Sequence, residues 1–415
     1  MTESSADARR ARRLLQLAWI AIGLYLLGLA ISAVLRVQGD FNVYYRTGAR
    51  VLNGEPLYRL DESSHFLYAP IFAILFAPFA LLPLHAAQFV WYLVSAASLI
   101  AFIVGSARML LGRAPLTASI FVIPVVFTAV FINNNIEHGQ INLPTLALIV
   151  WSVVFAEEDR PMIGGAALAA AILIKPFAGL AALFLLLHKK WQPILYAIIV
   201  GISLLVAPIL VFGASDAIAD TSAYVRVVSS MTDRYTTMLT NQSATSAVAR
   251  LMSLGARTEA APSHQALYIG TVVEAALVIA IVIWLLGDRD SQCGRFSKPH
   301  RFQLAALFCL MPSLAPISWK SYYAALLVPY MLLTIVLLPQ RRSESSPPAL
   351  TLALVGLSVI LNWIPGRRAS HLGMFFSVHL VSSMLLLAAV ATAGIWAENS
   401  AQCRLIDAGT VNNYL

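Results

Sequence analysis

Twelve apolar runs decide what this chain can fold into. They cover residues 14–35, 66–84, 86–107, 116–132, 142–156, 162–187, 193–212, 266–286, 302–317, 323–338, 349–364 and 371–395. A helix needs about 20 apolar residues to cross the hydrocarbon core of a bilayer, and these runs are that order of length. They are continuous, not alternating, which excludes an outer-membrane barrel. Of 415 residues, 59% are hydrophobic and 12% charged, against roughly 25% charged in a soluble domain. Lipid must solvate most of such a surface. A soluble enzyme with one anchor, a disordered chain and a collagen-like fibre are all excluded. The formal charge of +8 is largely carried by pairs beside the runs, such as Arg12-Arg13, Lys189-Lys190 and Arg341-Arg342. Basic residues there set membrane orientation, so no nucleic-acid partner is expected.

The run from Leu14 to Leu35 is too long for a signal peptide and no small-x-small cleavage site follows it, so it reads as a retained first span with its Arg cluster in the cytoplasm. Cys293, Cys309 and Cys403 show no metal spacing and no disulfide framework. Two loops are long, 36–65 and 213–264, and an even number of runs leaves both termini cytoplasmic. Two topologies fit. In one, 66–84 crosses the membrane and 162–187 is a single helix. In the other, 66–84 is re-entrant and 162–187 is a hairpin of two half-length helices turning at Lys175-Pro176. Pro70, Pro78 and Pro83 break or kink a crossing helix, and the re-entrant topology places Arg108 and Arg113 inside, as the positive-inside rule prefers. It also puts residues 133–142 on the same face as the first loop. It is the better fit.

Polar islands at membrane depth are costly and mark function. The first is Asp40 to Tyr45. Phe41, Tyr44, Tyr45, Gly48, Ala49 and Leu52 recur at helical spacing, with Asn42, Arg46, Arg50 and Asn53 opposite. The pattern predicts a short interfacial helix with Asp40 as its N-cap and Gly54 past its end. Asp40 reads either as that cap or as a general base held at the membrane surface. The second island, Asn133 to Asn142, carries His138, Gln140 and Asn142; it is a polar turn or a binding site. Lys175 lies mid-run with no short route to water and needs an anion, a phosphate being the obvious one. The second long loop holds an amphipathic stretch from Asp216 to Met231, then Asn241-Gln242-Ser243 (formally a glycosylation sequon) leading into a helix with Arg250. The last island, Ser318 to Tyr323, is an aromatic belt with a topological Lys or a part of the same site. Walker, dinucleotide-turn, His/Cys-cluster and Asp-x-Asp signatures are missing, so no cytoplasmic nucleotide site is expected. No inverted repeat is visible, which lowers the case for a secondary transporter.

In chain order, Asp40-Phe41-x-Val43-Tyr44-Tyr45, Gly54-x-x-Leu57-Tyr58, Tyr68-x-Pro70, Pro78 to Pro83, Gly139-Gln140-x-Asn142, Lys175-Pro176, Asn241-Gln242-Ser243 and Pro316-Ile317-Ser318-Trp319 resemble glycosyltransferase family 87. The resemblance runs over residues 38–330. It implies the GT-C fold: one all-α domain over 1–415 with about 12 transmembrane helices, a first periplasmic loop at 36–84 with interfacial and re-entrant helices, and a second at 213–264. It further implies an inverting enzyme of the bacterial inner membrane, with its active site facing the periplasm. The donor would be a polyprenyl-phosphate-linked sugar, mannose expected, and the acceptor a lipid or glycan. Asp40 matches the family's catalytic base. Lys175 is expected at the donor phosphate, with His138, Gln140, Asn142 and Lys320 or Tyr322 as helpers. Tyr44, Tyr45, Asn241, Gln242 and Trp319 are expected as acceptor or loop contacts. Mycobacterial members, α-1,2-mannosyltransferases acting on phosphatidylinositol mannosides, carry a functional His after the Ser-Trp motif, where this chain reads Lys320-Ser321-Tyr322-Tyr323. A departing phosphate needs no proton donor, so one carboxylate suffices where glycosidases use two; neither a metal nor a cofactor is expected. The rival is a transporter or flippase of lipid-linked sugars. It would also need a Lys at depth, but no carboxylate in the first outer loop. A membrane scaffold would need neither.

Overall fold

The computed structural model describes residues 2–35, 38–112, 117–236, 238–252, 264–287, 298–338, 347–364 and 372–399. Arg113, Cys293, Arg341, Arg342 and Cys403 lie outside them. Every regular element among the described residues is a helix. In order they are α1 (Thr2–Leu35), α2 (Gly39–Asn53), α3 (Pro70–Ala80), α4 (Leu84–Leu111), α5 (Ala118–His138), α6 (Asn142–Glu157), α7 (Pro161–Ile174), α8 (Gly179–Leu187), α9 (Trp191–Val206), α10 (Pro208–Phe212), α11 (Ala214–Thr236), α12 (Ala244–Met252), α13 (His264–Gly287), α14 (Lys298–Ser313), α15 (Leu327–Leu337), α16 (Ala349–Asn362) and α17 (Val378–Asn399), with 3-10 turns at Pro176–Ala178 and Lys320–Leu326. Among the described residues six helices are long and apolar enough to cross a membrane, and six more apolar helices are shorter. The expectation of an all-α bundle is met; of the expected about twelve spans, six are long enough to cross by themselves. Breaks at 138–142 and at Lys175-Pro176 shorten the elements that flank them.

The lipid side of this bundle is plain on α1, where Leu17, Ile20, Leu24, Leu27 and Ile31 are exposed while Ala18, Ile22 and Leu26 turn inward. The protein core is built by α4, α5, α6, α14 and α15 around Phe102, Phe121, Phe131, Leu146 and Phe308. Moving such side chains from lipid into protein gains no hydrophobic free energy, since lipid tails are equally apolar. Close packing and small residues carry the association.

The first loop differs from expectation in two details. Helix α2 starts at Gly39, with Gln38 as its N-cap and no side-chain cap bond. Asp40 therefore sits in the first turn and caps nothing. Its carboxylate is released from a structural duty. The buried face of α2 includes Arg50, predicted on the polar side, while Leu52 is exposed. The reason is the following loop, which folds back over the helix: Arg50 donates to the Leu57 carbonyl at 2.9 Å and pairs with Glu62. Gly54 closes the helix in the left-handed region, φ 66°, as predicted. Helix α3, 11 residues long, rises only about 16 Å, roughly half the hydrocarbon core. It lies on α2 at Gly48, where a Cβ would come within 2.5 Å of the Phe76 carbonyl oxygen. It is too short to cross that core.

The 162–187 run forms a hairpin. Gly165, near the start of α7, abuts Pro193 and Tyr196 at the start of α9, so α7 and α9 run side by side in one direction and α8 must return between them. Lys190 pairs with Glu157 at 3.9 Å, Arg108 donates to Glu158 at 2.6 Å, and the His188 and His300 rings lie 4.1 Å apart. These groups share one end of the bundle, whereas a single helix would part Glu157 from Lys190 by the bilayer's thickness of about 30 Å. In a background with the native cysteines replaced, cysteines at Asp159 and Lys189 should react with an impermeant thiol reagent from the same side. A cysteine at Pro176 should react from the opposite side. Labelling of 159 and 189 from different sides would break the hairpin topology.

Candidate active site

At the end opposite Lys190 a cavity of about 540 Å³ opens, with Asp40, Tyr44, His65, Tyr68, Asn134, His138, Gln140, Lys175, Tyr224, Tyr235, Trp319, Lys320 and Tyr322 on its wall. Several breaks in the helical pattern contribute to it. The first is the turn after α5. Gly139 has φ 66°, and a Cβ there would lie 2.5 Å from Gln38 Oε1 and 2.6 Å from Phe41 Cβ. Only glycine allows this turn to press against the first turn of α2. Trp91 fixes it by donating Nε1–H to the Gly139 carbonyl at 2.8 Å. The next residue, Gln140, is thereby set on the cavity wall beside Asp40, where its amide favours the ionised carboxylate.

Asp40 is half-buried. Loss of hydration pushes its carboxyl above the ordinary range, and the Gln140 amide, His138 and Lys175 act the other way. Lys175 ends α7 in an extended conformation, and Pro176 stops the helix there. Its ammonium donates to the Tyr322 hydroxyl and lies 4.3 Å from the Tyr322 ring centre and 5.1 Å from that of Tyr68. Such aromatic faces stabilise a cation without neutralising it. The Tyr44 and Tyr68 hydroxyls meet at 3.0 Å. Beneath them Phe41, Phe72, Phe76 and Trp91 form a buried aromatic floor. The arrangement can take a proton from a hydroxyl at one point and hold an anion at another.

Of the residues singled out in the sequence, Asp40, Tyr44, His138, Gln140, Lys175, Trp319, Lys320 and Tyr322 share this cavity. Four do not line it. Tyr45 points to the far side of α2 and donates to the Leu82 carbonyl at 2.8 Å, because it lies one position round the helix from Tyr44. Asn142 is buried behind Gln140, to which it donates at 2.6 Å, so it is not a donor-phosphate contact. Asn241 and Gln242 are fully buried and build the wall instead of facing the cavity. Asn241 accepts from Ser318 N at 2.9 Å and donates to the Pro316 carbonyl at 3.0 Å, while Gln242 donates to the Met374 carbonyl at 2.9 Å. Arg250 holds the same junction, donating to the carbonyls of Met238 at 2.7 Å and Asn241 at 2.6 Å. Sequence reasoning passed over Tyr68, His65, Tyr224 and Tyr235. The Tyr68-x-Pro70 motif was a usable signal for the first. Tyr224 and Tyr235 lie on the amphipathic helix α11, whose aromatic residues follow no polar island.

A family model, Glycosyltransferase family 87, matches residues 66–299, more than half of the chain. A Mycolicibacterium smegmatis protein named polyprenol-phosphate-mannose-dependent alpha-(1-2)-phosphatidylinositol mannoside mannosyltransferase is 29% identical over 358 residues, 79% of this chain and 75% of that one. An alpha-(1->3)-arabinofuranosyltransferase of Mycobacterium tuberculosis is 26% identical over 191 residues, 42% of this chain and 43% of its own length. The crystal structure of ArnT from Cupriavidus metallidurans bound to undecaprenyl phosphate covers 91% of this chain and 77% of its own at 14% identity, with a TM-score of 0.42, too low to bear on the fold. The matched segment runs through α3, the Gly139-Gln140 turn and the Lys175 hairpin, and on that match the chain belongs to glycosyltransferase family 87.

Proposed function

We propose that this glycosyltransferase moves a sugar, mannose by the names of its relatives, from a polyprenyl-phosphate donor to a hydroxyl of a lipid or glycan acceptor. The observation that carries the reading is one cavity holding Asp40 and Lys175 on separate elements, with Lys175 against a phenol and not in an ion pair. Asp40 takes the proton of the acceptor hydroxyl. The freed oxygen attacks the anomeric carbon as the bond from that carbon to the phosphate oxygen breaks. The phosphate leaves as an anion, met by Lys175 and by the Tyr322 hydroxyl, whose own proton is available because its oxygen accepts from Lys175. Tyr322, adjacent to Lys175, fills the place of the mycobacterial His more directly than Lys320, which feels the charge of Glu137. A single displacement inverts the anomer, so a β-linked donor gives an α-linked product.

The same reading assigns a single GT-C domain of about twelve membrane helices, the two half-length members of the hairpin included. Its cavity end faces the periplasm of a bacterial inner membrane and both termini are cytoplasmic. The support is the distribution of basic residues, with Arg108, Lys189 and Lys190 at the end away from the cavity. Lipid contacts follow from the exposed apolar faces.

Two substitutions test the roles. Asp40→Asn removes the base and no capping bond, so transfer should fall by about 10²- to 10⁴-fold with the melting temperature little changed; retention of more than about a tenth of the rate would remove Asp40 from the chemistry. Lys175→Met should lower transfer roughly 10- to 150-fold, the worth of a charge-assisted contact, mainly by weakening the donor, and Lys175→Arg should be partly tolerated. Unchanged donor kinetics in purified Lys175→Met would end its assignment to the phosphate.

A further inference from the structure

Behind Asp40 lies a layer of polar side chains that the proposed chemistry does not use. Asn142 Nδ2 donates to Gln140 Oε1 at 2.6 Å and to Ser321 Oγ at 3.0 Å, and Ser321 Oγ donates in turn to Gln140 Oε1. Asn135 Nδ2 donates to the Ser321 carbonyl at 2.8 Å, and Gln140 N–H donates to the Asn135 carbonyl at 2.9 Å. All four residues are buried. An amide side chain has one accepting end and one donating end. With Gln140 Oε1 occupied by two donors, the Nε2 end is the one left for Asp40, whose carboxylate can only accept. Without those donors the amide is free to turn its oxygen towards the carboxylate, where the two repel.

We propose that Ser321 and Asn142 are positioning residues that lock the Gln140 amide with its N–H towards Asp40, keeping the base ionised and aimed at the acceptor hydroxyl. The proposal rests on Asp40 being the base. Ser321 immediately precedes Tyr322, so one 3-10 turn steadies the carboxylate through Gln140 and meets Lys175 through the phenol. The base and the phosphate contact are thereby held at a fixed separation.

The charged and titratable groups around Asp40 are His138 from α5, Lys175 from the hairpin turn, Tyr44 of its own helix, Tyr68 ahead of α3, and Tyr322. Ser321→Ala and Gln140→Met alter none of them. An amide N–H turned towards a carboxylate favours its ionised form, so letting the Gln140 amide turn away must raise the pH at which Asp40 gains its proton. The experiment is the pH profile of kcat/KM for purified wild type, Ser321→Ala and Gln140→Met, with melting temperatures as a folding check. The acid limb should move to higher pH in both variants, further in Gln140→Met. At neutral pH kcat should fall about 2- to 10-fold in Ser321→Ala, as for a neutral hydrogen bond, and about 10- to 100-fold in Gln140→Met, as for one to a charge, with donor KM unchanged. A merely structural role would lower the active fraction and leave the limb in place. A wild-type limb in both variants overturns the proposal, and if Gln140→Met does not fold, Ser321→Ala alone decides. Asp40→Asn separates the two claims. If it stays active, the base assignment falls and the positioning proposal with it; if it is dead while both variants keep the wild-type limb, only the positioning proposal falls.

Discussion

A backbone that breaks its helix at membrane depth must be buried in protein or line a cavity, because no water is there to satisfy it. Three such breaks are the approach to α3 at Tyr68 to Pro70, the hairpin turn at Lys175 to Ala178, and the stretch from Ala315 to the 3-10 turn at Lys320. All three meet at one cavity. The turn after α5 joins them through Gly139. Proline at 70, 176 and 316 enforces the breaks locally, and the cavity is what makes them affordable. The site exists where the helices cannot continue.

Charge at that site is handled by hydrogen bonds and aromatic faces more than by ion pairs. Lys175 has phenol rings around it and a carboxylate only at longer range. A tight buried pair with Asp40 would quench both charges, whereas removing either partner of such a pair is strongly destabilising. Keeping them apart leaves the carboxylate able to take a proton and the ammonium able to meet an arriving anion. The ion pairs proper are elsewhere. Arg50 with Glu62 pins the first loop, while Arg108 with Glu158 and Lys190 with Glu157 tie the opposite end.

Much of this was legible in the sequence. The apolar runs and prolines pointed to the helical bundle, the short α3 and the hairpin, because those features follow from composition over windows of ten to twenty residues. Asp40, Lys175 and Tyr322 stood out as polar residues where apolar ones were the rule. The N-cap assignment of Asp40 and the exposure of Arg50 were misread, since a fold-back of loop 55–65 is not visible in periodicity. Asn142 reads in the sequence as a donor-phosphate contact, and Asn241 and Gln242 as acceptor or loop contacts, of which the structure has the loop contacts. They are polar, lie beside the site and are buried, and nothing local distinguishes a residue that faces a cavity from one that supports its wall. That distinction depends on partners such as Ser321, Ser318 and Met374, which are separated from them by between about 75 and 180 positions.

The central claim is that the cavity breaks a sugar–phosphate bond instead of passing an intact lipid-linked sugar through the membrane. The direct measurement is made on the purified protein in lipid, with a polyprenyl-phosphate mannose donor labelled in the sugar and an acceptor hydroxyl supplied. Glycosylated product and free polyprenyl phosphate should appear together in equal amounts, only when acceptor is present, and with the anomer inverted. Donor that changes leaflet with its sugar still attached, and no polyprenyl phosphate released, would contradict the account.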